Sequence, residues 1–262
     1  MGPKFTVLLS ASVPTKERSA EFRKIPNAQT QIEQAVIALA RNVFQAGGQL
    51  IFGGHPSISP LVLMVAMEYD QKSKEIENIQ RNEPQLKPIN IYQSEAFREV
   101  MPQQTIDLLN LGLADIIWTE AIDGEKYNPE LKGQPQCPRS LWLMRTKMIN
   151  QNIDALVCIG GMEGTMDEFR LFSDYHSRKP IYVFESTGGA SEILAREFTR
   201  SEYIKVIDRV NYNFPESDNK EFLQGENKEN NEPEKIEIVP YTFFTALIVR
   251  DLIEGGNYYR VG

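Results

Sequence analysis

Short apolar runs alternate along the chain with longer amphipathic segments, which is the pattern of strand–helix repeats over a parallel sheet. The pattern predicts a Rossmann-like, doubly wound α/β fold of three layers, with helices on both faces of the sheet. Six runs are the strand candidates: Phe5–Leu9, Leu50–Phe52, Ile89–Tyr92, Asp115–Trp118, Ala155–Ile159 and Ile181–Phe184.

The segments between these runs have helical periodicity. Apolar residues recur at helical spacing after the first run, and Gly47-Gly48 predicts where that helix stops. A second helix is expected to begin near Ser59-Pro60, because proline is tolerated in a first turn. The remaining helices are predicted over about Ala96–Leu111, about Arg139–Asn152, from near Gly164, after Gly188-Gly189, and over Thr242–Ile253 at the sheet edge.

Two segments break this rhythm. Ala121–Pro138 contains three prolines and two glycines without periodicity, which is typical of a lid, a binding loop or a mobile insertion. Asn211–Lys235 is polar and acidic, too poor in apolar residues to fold alone, and is interpreted as a solvated excursion. The chain has no internal repeat, so residues 1–262 are predicted to form one domain.

The amino-acid composition limits the classes of partner that this chain is expected to bind. The 262 residues include 28 Lys+Arg and 36 Asp+Glu, which gives a formal net charge of −8. An acidic balance argues against a nucleic-acid groove or an anionic-membrane face, because both need a basic field. An anionic ligand would have to be held by a few local Arg, Lys and backbone N–H groups.

The two cysteines, Cys137 and Cys158, do not suggest a disulfide framework, and the two histidines, His55 and His176, exclude a multi-histidine metal site. We therefore expect no metal and no cofactor. Cys158 lies inside an apolar run and is expected in the core. With no apolar stretch near membrane-span length and no signal-peptide core at the N-terminus, a cytoplasmic location is expected.

Candidate chemistry follows four of the predicted strands, at the edge where open parallel sheets bind ligands. Glycine lets a backbone approach a phosphate, and the following helix N-terminus offers unpaired N–H groups. One such turn is ordinary, whereas four at one sheet edge predict a nucleotide-sized anion pocket. The turns contain Ser10-Ala11-Ser12, Gly53-Gly54-His55, Gly160-Gly161-Met162-Glu163-Gly164-Thr165 and Thr187-Gly188-Gly189.

Two charged residues flank the fifth strand. The helix before the strand is expected to aim Arg145 at its end, and the helix after it carries Glu168 one turn in. Two interpretations stay open, because Thr165-x-x-Glu168 is also the sequence of a capping box and Arg145 alone would suit a solvated helix surface. His55 is equally open, between a ligand contact and a cap of the second helix.

The order of these residues resembles the Lonely Guy (LOG) family. Arg145, then Asp154-Ala155, a strand, and Gly161-x-x-Gly164-Thr165-x-x-Glu168 match that family's Arg-Lys, Asp-Ala and Pro-Gly-Gly-x-Gly-Thr-x-x-Glu pattern. The turn Phe52-Gly53-Gly54-His55-Pro56 looks similar too, and the resemblance covers about Phe5 to Leu194. The wider SMF/LOG (SLOG) superfamily has a Rossmann-like fold and includes nucleotide-sensing domains of bacterial antiviral systems, often beside TIR or sirtuin-like effectors.

The resemblance implies roles for two residues. It places the LOG catalytic arginine at Arg145 and the catalytic glutamate at Glu168, in an enzyme that cleaves the N-glycosidic bond of a nucleoside monophosphate. A carboxylate can stabilise developing oxocarbenium charge and help activate water, while a guanidinium clamps phosphate or orients the carboxylate.

The chain also departs from the LOG pattern. Thr146 stands where the family has lysine, although Lys147 follows, and Gly160 and Met162 replace the motif's proline and second glycine. Met162 and Glu163 add bulk and one negative charge to the turn expected to cradle phosphate. These departures favour the sensing branch of the superfamily.

Three functions follow from this sequence. The preferred one is binding of a nucleotide-derived signal, cyclic ADP-ribose-like or another adenine derivative, as a sensor or sequestering module in bacterial antiviral signalling. The alternatives are an N-glycosidic hydrolase that uses Arg145 and Glu168, and an assembly protein whose second helix presents Met64 and Met67. A homo-oligomer and a separate effector protein are the expected partners. Trp118 is interpreted either as a base-stacking residue or as a half-buried edge aromatic.

Overall fold

One parallel sheet of seven strands is the centre of the computed structural model, which describes residues 3–14, 22, 25, 27–76, 87–131, 134, 136–198, 201–208, 224–226, 233–235 and 239–255. The strand order is β4-β3-β2-β1-β5-β6-β7. The strands are β1 Thr6–Ser12, β2 Gln49–Gly53, β3 Ile89–Ser94, β4 Ala114–Thr119, β5 Ala155–Gly160, β6 Ile181–Phe184 and β7 Ile204–Val206.

All six predicted strands are present, and β7 adds a short edge strand that the apolar pattern did not predict. Three half-buried residues beside a single neighbour do not need a long apolar run, so β7 carries little signal in the sequence. The strand order reverses at β1, which pairs with both β2 and β5. Such a reversal opens a crevice at the carboxyl ends of the two diverging halves.

Helices cover both faces, as the sequence predicted. The helices are α1 Ala28–Gln45, α2 Ser59–Ile76, α3 Gln103–Leu109, α4 Pro138–Ile149, α5 Glu163–Tyr175, α6 Gly189–Glu197 and α7 Tyr241–Ile253. Alternate residues of β1 show the layering, because Val7 and Leu9 join the core under α1, α2 and α7 whereas Leu8 joins the core under α4, α5 and α6. No helix in this described part of the chain is long and apolar enough to span a membrane.

The helix predicted over Ala96–Leu111 is interrupted. A 3-10 turn runs over Glu95–Val100, and α3 begins only at Gln103. Pro102 causes the break, because proline has no N–H to donate and disfavours the helical conformation of the residue before it. Met101 accordingly has an extended backbone, with φ −63° and ψ 128°.

The long segment Ala121–Pro138 is attached to this 3-10 segment and to α4. Tyr127 N donates to Ala96 O at 3.0 Å, and the Glu125 carboxylate accepts from Ser140 N at 2.8 Å. A short 3-10 turn, Ile122–Gly124, begins the segment. The first part of the segment is therefore held against both the 3-10 segment and α4.

The C-terminal helix α7 lies beside α1. The buried Asp251 of α7 accepts hydrogen bonds from Tyr182 of β6 and from Lys205 of β7, which ties the helix to the edge of the sheet. Within Asn211–Lys235, the structure describes the antiparallel pair β8 Gln224–Glu226 and β9 Pro233–Lys235. The rest of that predicted excursion lies outside the described residues.

Alanine substitutions at two glycines distinguish the stability cost of a steric collision from the stability cost of backbone strain. Both Gly189 and Gly112 have positive φ, at 60° and 77°. A Cβ on Gly189 would lie 2.5 Å from Gly161 O, whereas a Cβ on Gly112 meets nothing within 4 Å. We expect Gly112→Ala to cost about 1–2 kcal/mol of left-handed strain and Gly189→Ala to cost about 1–3 kcal/mol more through overpacking.

Urea unfolding followed by circular dichroism measures both differences. Equal losses in the two variants would show that the close approach of Gly189 to the turn after β5 does not constrain the fold.

Candidate functional site

A cavity of about 590 Å³ opens at the carboxyl ends of β1, β2, β3 and β5. Its volume falls within the roughly 300–1,000 Å³ of small-molecule sites. Three of the four predicted turns reach it. The predicted site residues among its lining are Ala11, Ser12, Gly53, Gly54, His55, Arg145, Met162, Gly164, Thr165 and Glu168.

Arg145 and Glu168 face each other across the packed helices α4 and α5. Arg145 Nε lies 3.7 Å from Glu168 Oε1, and Arg145 Nη1 lies 3.0 Å from Asp167 Oδ2. The Arg145 side chain is 15% exposed, and that of Glu168 is 11% exposed. The interpretation of Arg145 as a solvated helix residue is therefore wrong.

Thr165 does not cap α5, so the capping-box interpretation is also wrong. The N-cap position is Met162, which makes no side-chain cap hydrogen bond, and Thr165 is the third residue of the helix. Thr165 instead lies over Gly161, whose φ is 90°. Any Cβ at Gly161 would collide with Thr165 Oγ1, so this turn requires glycine.

Burial raises the pKa of Glu168 above the ordinary value of a glutamate, while the nearby Arg145 guanidinium and Ser10 hydroxyl act in the opposite direction. Desolvation of the charged form is the larger effect. Arg145 Nε, 3.7 Å from Glu168 Oε1, is a buried atom beyond hydrogen-bond distance of any partner among the described residues. The polar end of the cavity thus combines a carboxyl of raised pKa with a guanidinium nitrogen that has no hydrogen-bond partner.

The fourth predicted turn does not line the cavity. Thr187 Oγ1 accepts from Gly160 N at 2.7 Å and donates to Phe184 O at 2.7 Å. Gly189 packs against Gly161 O, as its φ of 60° allows. The prediction that Thr187, Gly188 and Gly189 contribute to the pocket is corrected, since Thr187 and Gly189 support the turn after β5 from behind and Gly188 is the N-cap residue of α6.

Four further predicted site residues are not among the lining: Ser10, Gly160, Gly161 and Glu163. Ser10 acts on the pKa of Glu168 from the strand, and Gly160 fits closely against Ile32, which a Cβ would approach to 2.5 Å. Glu163 is the first residue of α5 and is half-buried. Its charge therefore does not enter the cavity lining.

The ring of His55 lines the cavity and is oriented by Ser57. His55 Nδ1 accepts from Ser57 N at 3.2 Å and lies 2.8 Å from Ser57 Oγ. A neutral ring that accepts at Nδ1 carries its proton on Nε2. The start of α2 is organised by the backbone of His55 rather than by its ring, because Ser59 Oγ donates to His55 O at 3.0 Å.

Two departures from the LOG motif have structural explanations. Met162 is buried against Phe22 and Ala190 and also lines the cavity. Lys147 points to Glu120 at 2.6 Å on the exposed side of α4, so it does not replace the missing lysine beside Arg145. Cys158 is buried in the core as predicted, and its burial raises the pKa of the thiol.

The sequence analysis missed the aromatic wall of the cavity. Phe97 of the 3-10 segment and Tyr127 of the long loop both line it, with ring centroids 5.6 Å apart. Trp118, the predicted base-stacking candidate, is not in the lining and is covered by the Arg98 guanidinium 3.9 Å from its ring centroid. The further lining residues that the sequence analysis missed include Gln93, Pro102, Gln134, Gln136, Leu141 and Met144.

The loop could have been found from its length, which already suggested a binding loop. Phe97 could not have been found in this way, because the sequence pattern predicted a continuous helix where the structure has a break. No group of three or more His, Cys, Asp or Glu residues in the described ranges is arranged to hold a metal ion.

Comparison with known proteins gives a match over most of the chain. A family model described as the SLOG cluster3 family matches residues 22–214, a range that includes Arg145 and Glu168. An X-ray structure of TM1055, a Northeast Structural Genomics Consortium target, matches with 16% identity and a TM-score of 0.40, covering 73% of this chain and 81% of that chain. No curated protein matches.

Replacement of Glu168 by glutamine tests the burial of its charge. Because burial raises the pKa above the ordinary 4.5, the folded protein binds this proton more tightly than the unfolded chain does. The free energy of unfolding therefore falls as the pH rises from 4.5 to the raised pKa of Glu168. Glu168→Gln should escape the fall and be more stable than wild type at mildly alkaline pH, by about 1.4 kcal/mol per unit of raised pKa.

Thermal unfolding across pH measures the effect, and the advantage should shrink as the pH approaches 4.5. Asp174→Asn on the exposed end of α5 is the matched control, because it replaces a carboxylate that is not buried. A Glu168→Gln protein that is less stable than wild type at alkaline pH would show that the ion pair with Arg145 outweighs the cost of burial.

Proposed function

This chain belongs to the SLOG cluster3 family, and from that premise we propose that its cavity binds a nucleotide-derived small molecule. The observation that carries the proposal is the buried Arg145–Glu168 pair at the reversal of strand order, inside a cavity of about 590 Å³. The proposed ligand is an adenine derivative such as a cyclic ADP-ribose-like signal. The protein would act as a sensor or sequestering module in bacterial antiviral signalling.

The polar end of the cavity suits a ribose. Glu168 and Arg145 offer an acceptor and charged donors side by side, and hydrogen bonds to charged groups are the stronger ones. Hydroxyl groups of a sugar both donate and accept, so they can satisfy the unpartnered Arg145 Nε. Burial excludes water from these hydrogen bonds and makes them electrostatically stronger.

The first turn of α5 suits a phosphate. Gly164 and Thr165 line the cavity at the N-terminal end of this helix, where backbone N–H groups and the helix dipole favour negative charge. Gly164 has no Cβ there, and one would lie 2.6 Å from Arg145 Nη2. The glycine therefore lets the guanidinium lie directly against the start of α5.

Occupancy of the cavity would act on other molecules through a homo-oligomer or a separate effector protein. Met64 on α2 is 50% exposed and is the candidate for such a contact, while Met67 is half-buried. An oligomeric state that changes on addition of ligand, measured by light scattering, would support this part of the proposal.

Titration calorimetry with AMP, ADP-ribose and cyclic ADP-ribose tests binding. We expect at least one of these adenine compounds to bind, and at about 100 times its Kd to add about 2.7 kcal/mol to the free energy of unfolding. Arg145→Gln should weaken binding about 10-fold or more, because it removes a charged hydrogen-bond donor.

Lys147→Gln is the control, since Lys147 lies on the same helix but on its exposed side, paired with Glu120. No binding by wild type, or equal losses in the two variants, would contradict the proposal.

Hydrolysis of an N-glycosidic bond is the second candidate, favoured by the raised pKa of Glu168. Because its pKa is raised, this carboxyl is suited to donate a proton to a departing base. Water would add to the anomeric carbon as the C–N bond breaks, giving free base and a ribosyl product. Arg145 would hold the sugar phosphate or orient the carboxyl.

Incubation of AMP and NAD with wild type and Glu168→Gln, followed by chromatography for free base, tests this chemistry. The enzyme hypothesis expects turnover by wild type and a loss of about 100-fold or more in the variant. Binding without release of base in either protein would leave the sensor as the function.

A further inference from the structure

We propose that the Phe97–Tyr127 pair forms the subsite for the planar heterocycle of the ligand, in the same cavity as Arg145 and Glu168. This inference rests on the proposed function and adds to it the chemical class of the group that these two aromatic residues would bind. It replaces Trp118, whose ring is covered by Arg98, with two aromatic residues that do line the cavity.

Two elements bring the pair and the carboxyl to one cavity. Phe97 reaches it from the segment that follows β3, whereas Glu168 reaches it from the helix that follows β5. The Glu168 carboxylate extends to the end of β2, where a Cβ on Gly53 would lie 4.0 Å from its Oε1. Because β2 is the neighbour of β3, one ligand of nucleotide size can contact both the carboxyl and the aromatic pair.

The two rings present aromatic surface to the cavity. Their centroids are 5.6 Å apart and their planes are tilted by 44°, so each ring retains a face or an edge for a third aromatic group. Both residues are half-buried. Pro102 completes the apolar surroundings of the pair.

Backbone hydrogen bonds hold this pair in position before any ligand arrives. Tyr127 N donates to Ala96 O, the residue next to Phe97, at 3.0 Å. Asn128 N donates to Gln136 Oε1 at 2.7 Å, which closes the loop behind Tyr127. A surface ordered in advance loses less conformational entropy on binding.

The amide of Gln93, which also lines the cavity, supplies polar recognition. Gln93 Nε2 donates to Gly54 O at 3.2 Å, and Gln93 Oε1 accepts from Ser94 N at 3.1 Å. These bonds use one of the two N–H groups and one of the two lone pairs of the amide. The remaining donor and acceptor match the edge of a heterocycle such as adenine. An alkyl chain in the same place would leave both of these amide groups unpaired.

The test compares AMP with ribose 5-phosphate, which lacks the base, on wild type, Tyr127→Phe, Tyr127→Leu and Phe97→Leu. Stacking on an aromatic ring predicts AMP binding about 5- to 100-fold weaker in the two leucine variants, with ribose 5-phosphate binding unchanged. Tyr127→Phe keeps the ring and should bind AMP like wild type. Trp142→Leu, an exposed aromatic on α4 outside the cavity lining, is the control.

Fluorescence of 1,N6-etheno-AMP gives a second readout, because stacking on Tyr127 should quench it in wild type and Tyr127→Phe but not in Tyr127→Leu. Unchanged AMP binding in both leucine variants, or equal loss of AMP and ribose 5-phosphate binding, would overturn the subsite. Failure of AMP to bind while another adenine nucleotide binds would overturn it too and leave the proposed function standing. Binding of none would overturn both.

Discussion

The burial of one carboxyl beside one guanidinium is the constraint around which this site is built. Glu168 is withdrawn from water at the sheet edge where the strand order reverses, and Arg145 reaches it from a different helix. A buried charge needs a partner or a proton, and here both are available. The position of α4 against α5 therefore matters as much to the site as the residues themselves.

The turn between β5 and α5 lets the carboxyl reach that position. Gly160 and Gly161 both have positive φ, and the neighbouring Ile32 and Thr165 leave no space for a Cβ at either residue. The turn after β6 supports this backbone through Thr187 Oγ1 and Gly189. Two glycine-rich turns that look alike in sequence thus have different roles, since one borders the cavity and the other fixes the first in place.

Both proposed functions, recognition and hydrolysis, need a ribose held against a carboxyl. The choice depends on whether a water and the anomeric carbon are brought into line with Glu168. The bulk of Met162, buried against Phe22 and lining the cavity, reshapes the end of the site where the LOG motif has glycine. That change favours binding without cleavage as the proposed function.

Periodicity and residue type were sufficient to predict six strands, the two helical layers, and the approach of Arg145 to Glu168, since each depends on local pattern and on the rule that parallel strands end at one edge. The tertiary structure decided which turns reach the cavity. Thr187 and Gly189 became supports because a neighbouring backbone lies over them, and Phe97 and Tyr127 became a wall because Pro102 breaks a helix and a loop returns to it. Such placements arise from contacts between distant segments, and no local pattern encodes them.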